Sequence, residues 1–334
     1  MQIAELSVLL VWGSATALAI ALVAFSVDLA RRSSERVEAR GADREPALAG
    51  AASSARGGGS IATDSIQTAR GGGDGRASHS RALGIAMSTT WLGTALLLAA
   101  IVLRGIAAGR APWANMYEFT LMGSFVALAV FLAVSTRRDV RFLGAFVTGL
   151  TVLFIVLGLN AFYVAATGLP PALQSYWLVI HVGVAVVATG IFAVAFVTSV
   201  LQLLRDSRDS GSPYLGRPGF RWLGQVPTPT ALEALSFRLN AVAFVLWTFT
   251  IIGGAIWAEH AWGRYWGWDP KEVWSFVIWI VYAAYLHART TRGWSGRRAA
   301  WFVVVGFACV LFNFTGVNLI FNGLHSYSGL TTDS

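Results

Sequence analysis

The chain is poor in charge, in lysine and in cysteine, and each shortage excludes something. Only 13% of its 334 residues are charged, about half the soluble norm, while 55% are hydrophobic. A soluble fold of this length has no means of hiding so much apolar surface, so the composition points to a membrane protein. Cysteine occurs once, at Cys309 inside an apolar run. That excludes an intramolecular disulfide, a CxxC redox pair and a cysteine metal site. Any thiol chemistry must use the cysteines of a partner or substrate. Lysine also occurs once, at Lys271, so arginine carries almost all of the positive charge. No internal repeat and no Gly-rich phosphate loop is present.

At ~20 apolar residues per crossing, the length allows roughly six to ten spans. Eight apolar segments are legible, at 6–29, 85–103, 116–135, 142–165, 177–204, 240–258, 273–288 and 299–322. The first has Glu5 ahead of it and Arg31 and Arg32 directly after it, so it reads as a span rather than a signal peptide. The expectation is an all-α polytopic membrane protein with about eight transmembrane helices. A net charge of +8 would suit nucleic acid, but the charges lie between apolar runs, as topology signals do, so no nucleic-acid partner is expected.

Orientation follows from the arginines. The connections 30–84, 136–141, 205–239 and 287–298 hold 21 of the 25 positive residues; Arg104, Arg110, Arg264 and Lys271 are the others. The positive-inside rule puts the first set in the cytoplasm, which leaves both termini and the stretch 257–274 outside. Residues 30–84 are rich in Arg, Gly and Ser, with few large apolar residues, and are expected to form a disordered cytoplasmic linker between a first transmembrane helix (1–29) and a membrane domain (85–328). His79 in that linker reads as solvated. Residues 329–334 form a tail.

The densest chemical signal is Trp257 to Trp274, with five of the chain's 14 tryptophans in 18 residues. A membrane-interface belt explains one or two tryptophans at a span end. Five of them, interleaved with Asp269, Lys271 and Glu272, suit a large flat apolar ligand with a charged edge. The charged residues would meet that edge or fix the loop. His181, near the outer end of the fifth segment, and His325, after the last one, fall on the same side as this loop. Two neutral imidazoles flanking a planar platform form the bis-axial arrangement that heme iron accepts. His287 ends the seventh segment on the cytoplasmic side, as a separate inner ligand or an interfacial histidine. His260 lies in the outer loop, as an additional ligand or a solvated residue. Asn115 and Glu118 open the third segment, where Glu118 is favourable by helix dipole alone and shaping of the site is the alternative.

The motif Trp262-Gly-x-x-Trp266-x-Trp268-Asp269-Pro-Lys271-Glu272-x-Trp274 closely resembles the "WWD" signature of heme-handling proteins. Its Pro-Lys-Glu continuation resembles the CcsA/ResC branch (CcsB in actinobacteria) of system II cytochrome c biogenesis. The stretches 112–118, 174–182, 285–289, 293–297 and 316–327 agree, so the resemblance covers about 85–328.

The resemblance implies a subunit of a plasma-membrane holocytochrome c synthase, or heme lyase. Such a subunit works with a ResB/Ccs1-like membrane partner to bring heme b to the outer face and attach it to Cys-x-x-Cys-His of apocytochrome c. A thioredoxin-like thiol reductase would serve it indirectly. The resemblance also implies that His181 and His325 are the external heme ligands and that His287 is the internal histidine. Trp262, Trp266, Trp268 and Asp269 correspond to the signature itself, with Asn115, Glu118, Lys271, Glu272, Trp274 and His260 as secondary candidates. A heme transporter without attachment activity, a respiratory cytochrome b-type subunit and an ordinary transporter are the competing readings. The second would need paired histidines on facing spans at two depths, and one inner-side histidine is too few.

Overall fold

The computed structural model describes residues 2–53, 81–168 and 174–325, and all of the regular structure in them is helical. The helices are α1 (Ile3–Ser53), α2 (Arg81–Ala108), α3 (Met116–Ser135), α4 (Gly144–Ala161), α5 (Tyr176–Asp209), α6 (Pro229–Trp262), α7 (Pro270–Thr291), α8 (Arg297–Phe314) and the short α9 (Gly316–Ile320). Seven of them, all but α7 and with α8–α9 as one segment, are long and apolar enough to cross a membrane. The protein is a multi-pass membrane protein. Large apolar side chains such as Val23, Leu153 and Phe249 stand on its outer surface, as a hydrocarbon surrounding favours.

Two expectations need adjustment. Where a linker is expected from residue 30, α1 instead continues unbroken to Ser53. Ala, Glu and Arg dominate that stretch and are strong helix formers. Residues 54–80, with His79, and the tail 329–334 lie outside the described residues. The apolar segment 299–322 is broken at Thr315, after which α9 and an extended turn carry the chain to His325.

The helix ends are specified locally. Asn115 caps α3 by accepting from the Glu118 amide, and Ser175 caps α5 by accepting from Trp177. Asp269 and Glu272 form a capping box on α7, with Pro270 in the first turn. Gly263 ends α6 in the left-handed region at φ 69°, which glycine adopts without steric strain.

Hydroxyls tie the long helices together. Ser7 and Ser14 of α1 donate to the Ala100 and Gly93 carbonyls of α2, at 2.9 and 2.8 Å. Ser199 of α5 and Ser236 of α6 are 2.7 Å apart and buried. In hydrocarbon such bonds answer polar groups that have no water to turn to.

The bundle has two chemically different ends. At the arginine-rich end, Arg289 at the end of α7 pairs with Glu233 at the start of α6 at 2.8 Å, and Arg297 at the start of α8 pairs with Asp206 of α5 at 3.2 Å. At the aromatic end, the start of α7 meets the chain after α9 through Asp269 and His325. Helix α7 therefore runs the whole distance between the two ends, alongside α6 and α8. It falls short of the other spans in hydropathy because its 22 residues include Lys271, Glu272, His287 and Arg289.

Candidate functional site: a paired-histidine cavity

The aromatic end encloses a cleft between the starts of α3, α5 and α7 and the ends of α6, α8 and α9. It holds about 1240 Å³ of non-atom space, part of it open to solvent. His181 and His325 both line it, with Trp113, Trp257, Tyr265 and Trp266 as its aromatic walls. Apolar lining reaches down to Ala185, Trp247 and Val310.

Each histidine has one ring nitrogen committed. His181 Nδ1 lies 2.8 Å from the Thr250 carbonyl of α6. A carbonyl only accepts, so this nitrogen carries the proton and Nε2 keeps a lone pair. His325 Nδ1 lies 2.8 Å from Asp269 Oδ1. A carboxylate likewise accepts, so Nδ1 donates here too and Nε2 is the nitrogen left over for a ligand. This is the way proteins orient an imidazole toward a metal, with an oxygen behind it fixing tautomer and ring direction.

Asp269 is the hub of this end. It caps α7 by accepting from the Lys271 amide at 3.0 Å, takes the Leu324 amide on Oδ2 at 2.6 Å, and holds His325 on Oδ1. Burial works to raise its pKa, but the His325 ring and the two amides outweigh it and hold the carboxyl below its ordinary value. Gly323 is required by this packing, since a Cβ there would sit 2.4 Å from Asp269 Oδ2.

The other residues expected from the sequence separate into groups. Trp266 lines the cleft, while Trp262 packs edge-on to His325 with centroids 4.8 Å apart. Trp268 is 72% exposed, standing edge-on to Trp266, and its φ of 57° is uncommon for a bulky residue. Glu272 stabilises that bend by accepting from the Gly267 and Asp269 amides on either side of Trp268, at 2.8 and 3.1 Å. Lys271 lines the cleft but donates to the Asn313 carbonyl at 2.6 Å, close to where α8 breaks off. Trp274 packs on Phe312 with centroids 4.4 Å apart.

Asn115 lines the cleft as well as capping α3. Glu118 is completely buried, with its carboxylate held by Arg104 at 3.0 Å and Arg110 at 2.6 Å. His260 is exposed, its Nδ1 turned to the Ile256 carbonyl at 2.8 Å. His287 is exposed near the arginine-rich end of α7, away from the cleft.

Two α6 positions carry no signal in the sequence reading, Thr250 and Gly254, and Trp257 figures there only as the start of the aromatic run. The three recur at i, i+4 and i+7, one helical face, and that spacing is the available signal. Thr250 supplies the carbonyl for His181. Gly254 leaves room for its ring, since a Cβ there would lie 2.6 Å from His181 Cε1. Trp257 is 1% exposed and packs against both histidines, 5.9 Å from His181 and 5.5 Å from His325.

Fold and site together define a multi-pass membrane protein whose paired imidazoles face an aromatic cleft. Comparison with known proteins makes the class specific. The family described as cytochrome C assembly protein matches residues 113–325, and the chain belongs to it. It is similar to the cytochrome c biogenesis protein CcsA of Synechococcus sp. (strain CC9902), 37% identical over 251 residues, 70% of this chain and 83% of that one. It is also similar to CcsA of Gloeobacter violaceus, 35% identical over 276 residues, 68% of this chain and 81% of that one. The chain is thus a CcsA-type cytochrome c biogenesis protein. Among solved structures, the cytochrome c heme lyase CcmF has a similar fold, with a TM-score of 0.61 over 94% of this chain and 47% of that longer one. The two are 16% identical, so that likeness speaks to the fold alone.

Proposed function

We propose that the chain holds heme b between His181 and His325 and presents it for attachment to apocytochrome c, together with a ResB/Ccs1-like membrane partner. The observation that carries this reading is the pair of histidines in one aromatic cleft, each with Nδ1 committed to a fixed oxygen and Nε2 left over for a ligand. Neutral imidazole nitrogens are what heme iron accepts as axial ligands. The mostly apolar lining suits a macrocycle and limits water. Residues 85–328 form the heme-handling membrane domain in this reading, with residues 257–274 as its loop and 1–29 as a separate first helix.

The cleft faces outside, with both termini, when α7 is counted as an eighth crossing. Its course from Asp269 to Arg289, parallel to the full length of the bundle, supports that count. The arginines gathered at the opposite end support the direction. His287, at that opposite end, is an inner-side histidine available to heme on its way in.

Attachment adds a cysteine thiol of the substrate across a heme vinyl group. A carbon–sulfur bond forms at one vinyl carbon and the thiol proton ends on the other, so the step needs no protein nucleophile. This chain's contribution is positioning: fixed imidazoles, fixed aromatic walls and a mostly apolar cleft. Displacement of one histidine by the substrate's own histidine would release the product.

The test is maturation of a reporter cytochrome c in a host lacking its own system, with the partner supplied. His181→Ala and His325→Ala should each abolish covalent heme on the reporter. Normal maturation in both variants would remove the proposal. Heme uptake without thioether formation by the wild type would favour a transporter.

A further inference from the structure

The two imidazoles are hydrogen-bonded to different oxygens, and their planes differ. The His181 ring is held by the Thr250 carbonyl and by the space above Gly254. The Trp257 indole lies beside it, parallel to within 8°. The His325 ring is held by Asp269 and by Trp262, which meets it at 74°. His325 meets the same Trp257 indole at 62°. One buried indole therefore packs against both rings and relates them: their planes cross at an angle within 8° of 62°.

We propose that Trp257 is a positioning residue that keeps the His181 and His325 rings crossed, so that iron bound between them is ligated by two non-parallel imidazoles. The proposal rests on the heme-site reading above and deepens it. An imidazole donates π density to iron along the normal of its own ring plane. Two parallel rings load the same iron d orbital and split it from its neighbour. Two crossed rings load both orbitals and leave them nearly degenerate. Parallel rings thereby stabilise ferric iron more than crossed ones do. Crossing shifts the balance toward ferrous heme, the state that vinyl addition requires, and ligand orientation is one of the protein's means of setting heme potential.

The crossing also has a spectroscopic signature that does not depend on turnover. Ferric heme b, supplied as hemin to the purified full chain with its membrane partner, is read by low-temperature EPR. The expected low-spin signal has one strongly low-field g value in place of the three well-separated values of parallel-ring ligation. Trp257→Leu, which removes the flat face, should convert that signal to the three-value form while the low-spin optical bands remain. Trp257→Phe should keep the wild-type signal. Gly254→Ala moves the same His181 ring from its other side and should also change the g values, which keeps the test open if the leucine variant does not accumulate.

A three-value low-spin signal in the wild type overturns the crossing and leaves the bis-histidine site standing. A crossed signal that persists in Trp257→Leu overturns the role of Trp257. Absence of any low-spin heme in the wild type overturns both this proposal and the site.

Discussion

Glu118 and Asp269 stand at the N-termini of two helices, α3 and α7, at the same end of the bundle, and both are buried. Both accept backbone amides there, as carboxylates at a helix start do. Their charged partners differ. Glu118 is gripped by two guanidiniums, Arg104 and Arg110, which in turn donate to the Val164 and Thr167 carbonyls after α4. A guanidinium has no lone pair to offer and keeps its proton at any working pH, so that cluster is closed. Asp269 is paired through Nδ1 with an imidazole that lines the cleft and has a second ring nitrogen to offer. The same local device thus builds a structural clamp in one place and a ligand holder in the other. What distinguishes them is the partner's remaining capacity, not the carboxylate.

Four substitutions sharpen or break this contrast. The largest effect belongs to Glu118→Ala, which leaves two buried guanidiniums uncompensated; removing one partner of a buried ion cluster costs about 3–5 kcal/mol. Its thermal midpoint and accumulation in membranes should fall severely. A variant of near wild-type stability would show the clamp to be dispensable.

Asp269→Asn should behave in the opposite way. Asparagine caps a helix as well as aspartate, so stability should change by less than ~1 kcal/mol. Loss of the carboxylate behind His325 should weaken heme binding about 10- to 100-fold, the usual effect of removing a ligand's supporting hydrogen bond. Heme titration of the purified variant beside a melting curve separates the two effects.

Gly254→Ala sets helix propensity against the site. An alanine in mid-helix gains about 0.5–1 kcal/mol over glycine, while its Cβ would lie 2.6 Å from His181 Cε1. Unimpaired folding with weakened heme binding is expected, and unchanged affinity would show that the His181 ring is free to turn elsewhere. The smallest effect is expected of His260→Ala. That side chain is exposed, so stability should stay within about 0.5 kcal/mol, with no change in the heme spectrum. A lost heme band there would make His260 a ligand.

The contrast also marks how far the sequence could be read. Hydropathy and arginine placement made the helical membrane bundle legible, and His181, His325 and the aromatic loop pointed to one end of it. Asp269-Pro-Lys271-Glu272 could be read locally too, since an Asp followed three residues later by Glu, with proline between, is a helix-start signature. Glu272 does serve that start, and Lys271 serves the end of α8. The remaining assignments were hidden because they are long-range. Asp269 meets Leu324 and His325 across more than fifty residues, and Lys271 meets Asn313 across forty-two. No pattern within one segment encodes such pairs. Trp257 is the instructive case. It was counted in the aromatic run, but its part depends on α5 and the chain after α9 meeting α6 on the face that also carries Thr250 and Gly254.

The central claim is that His181 and His325 together bind heme. The direct measurement is the oxidised and reduced absorption spectrum of the chain, purified with its partner from heme-replete cells, for the wild type and for the His181→Ala, His325→Ala double variant. A low-spin bis-histidine spectrum is expected in the wild type and is lost or becomes high-spin in the double variant. A low-spin spectrum that survives removal of both histidines would contradict it.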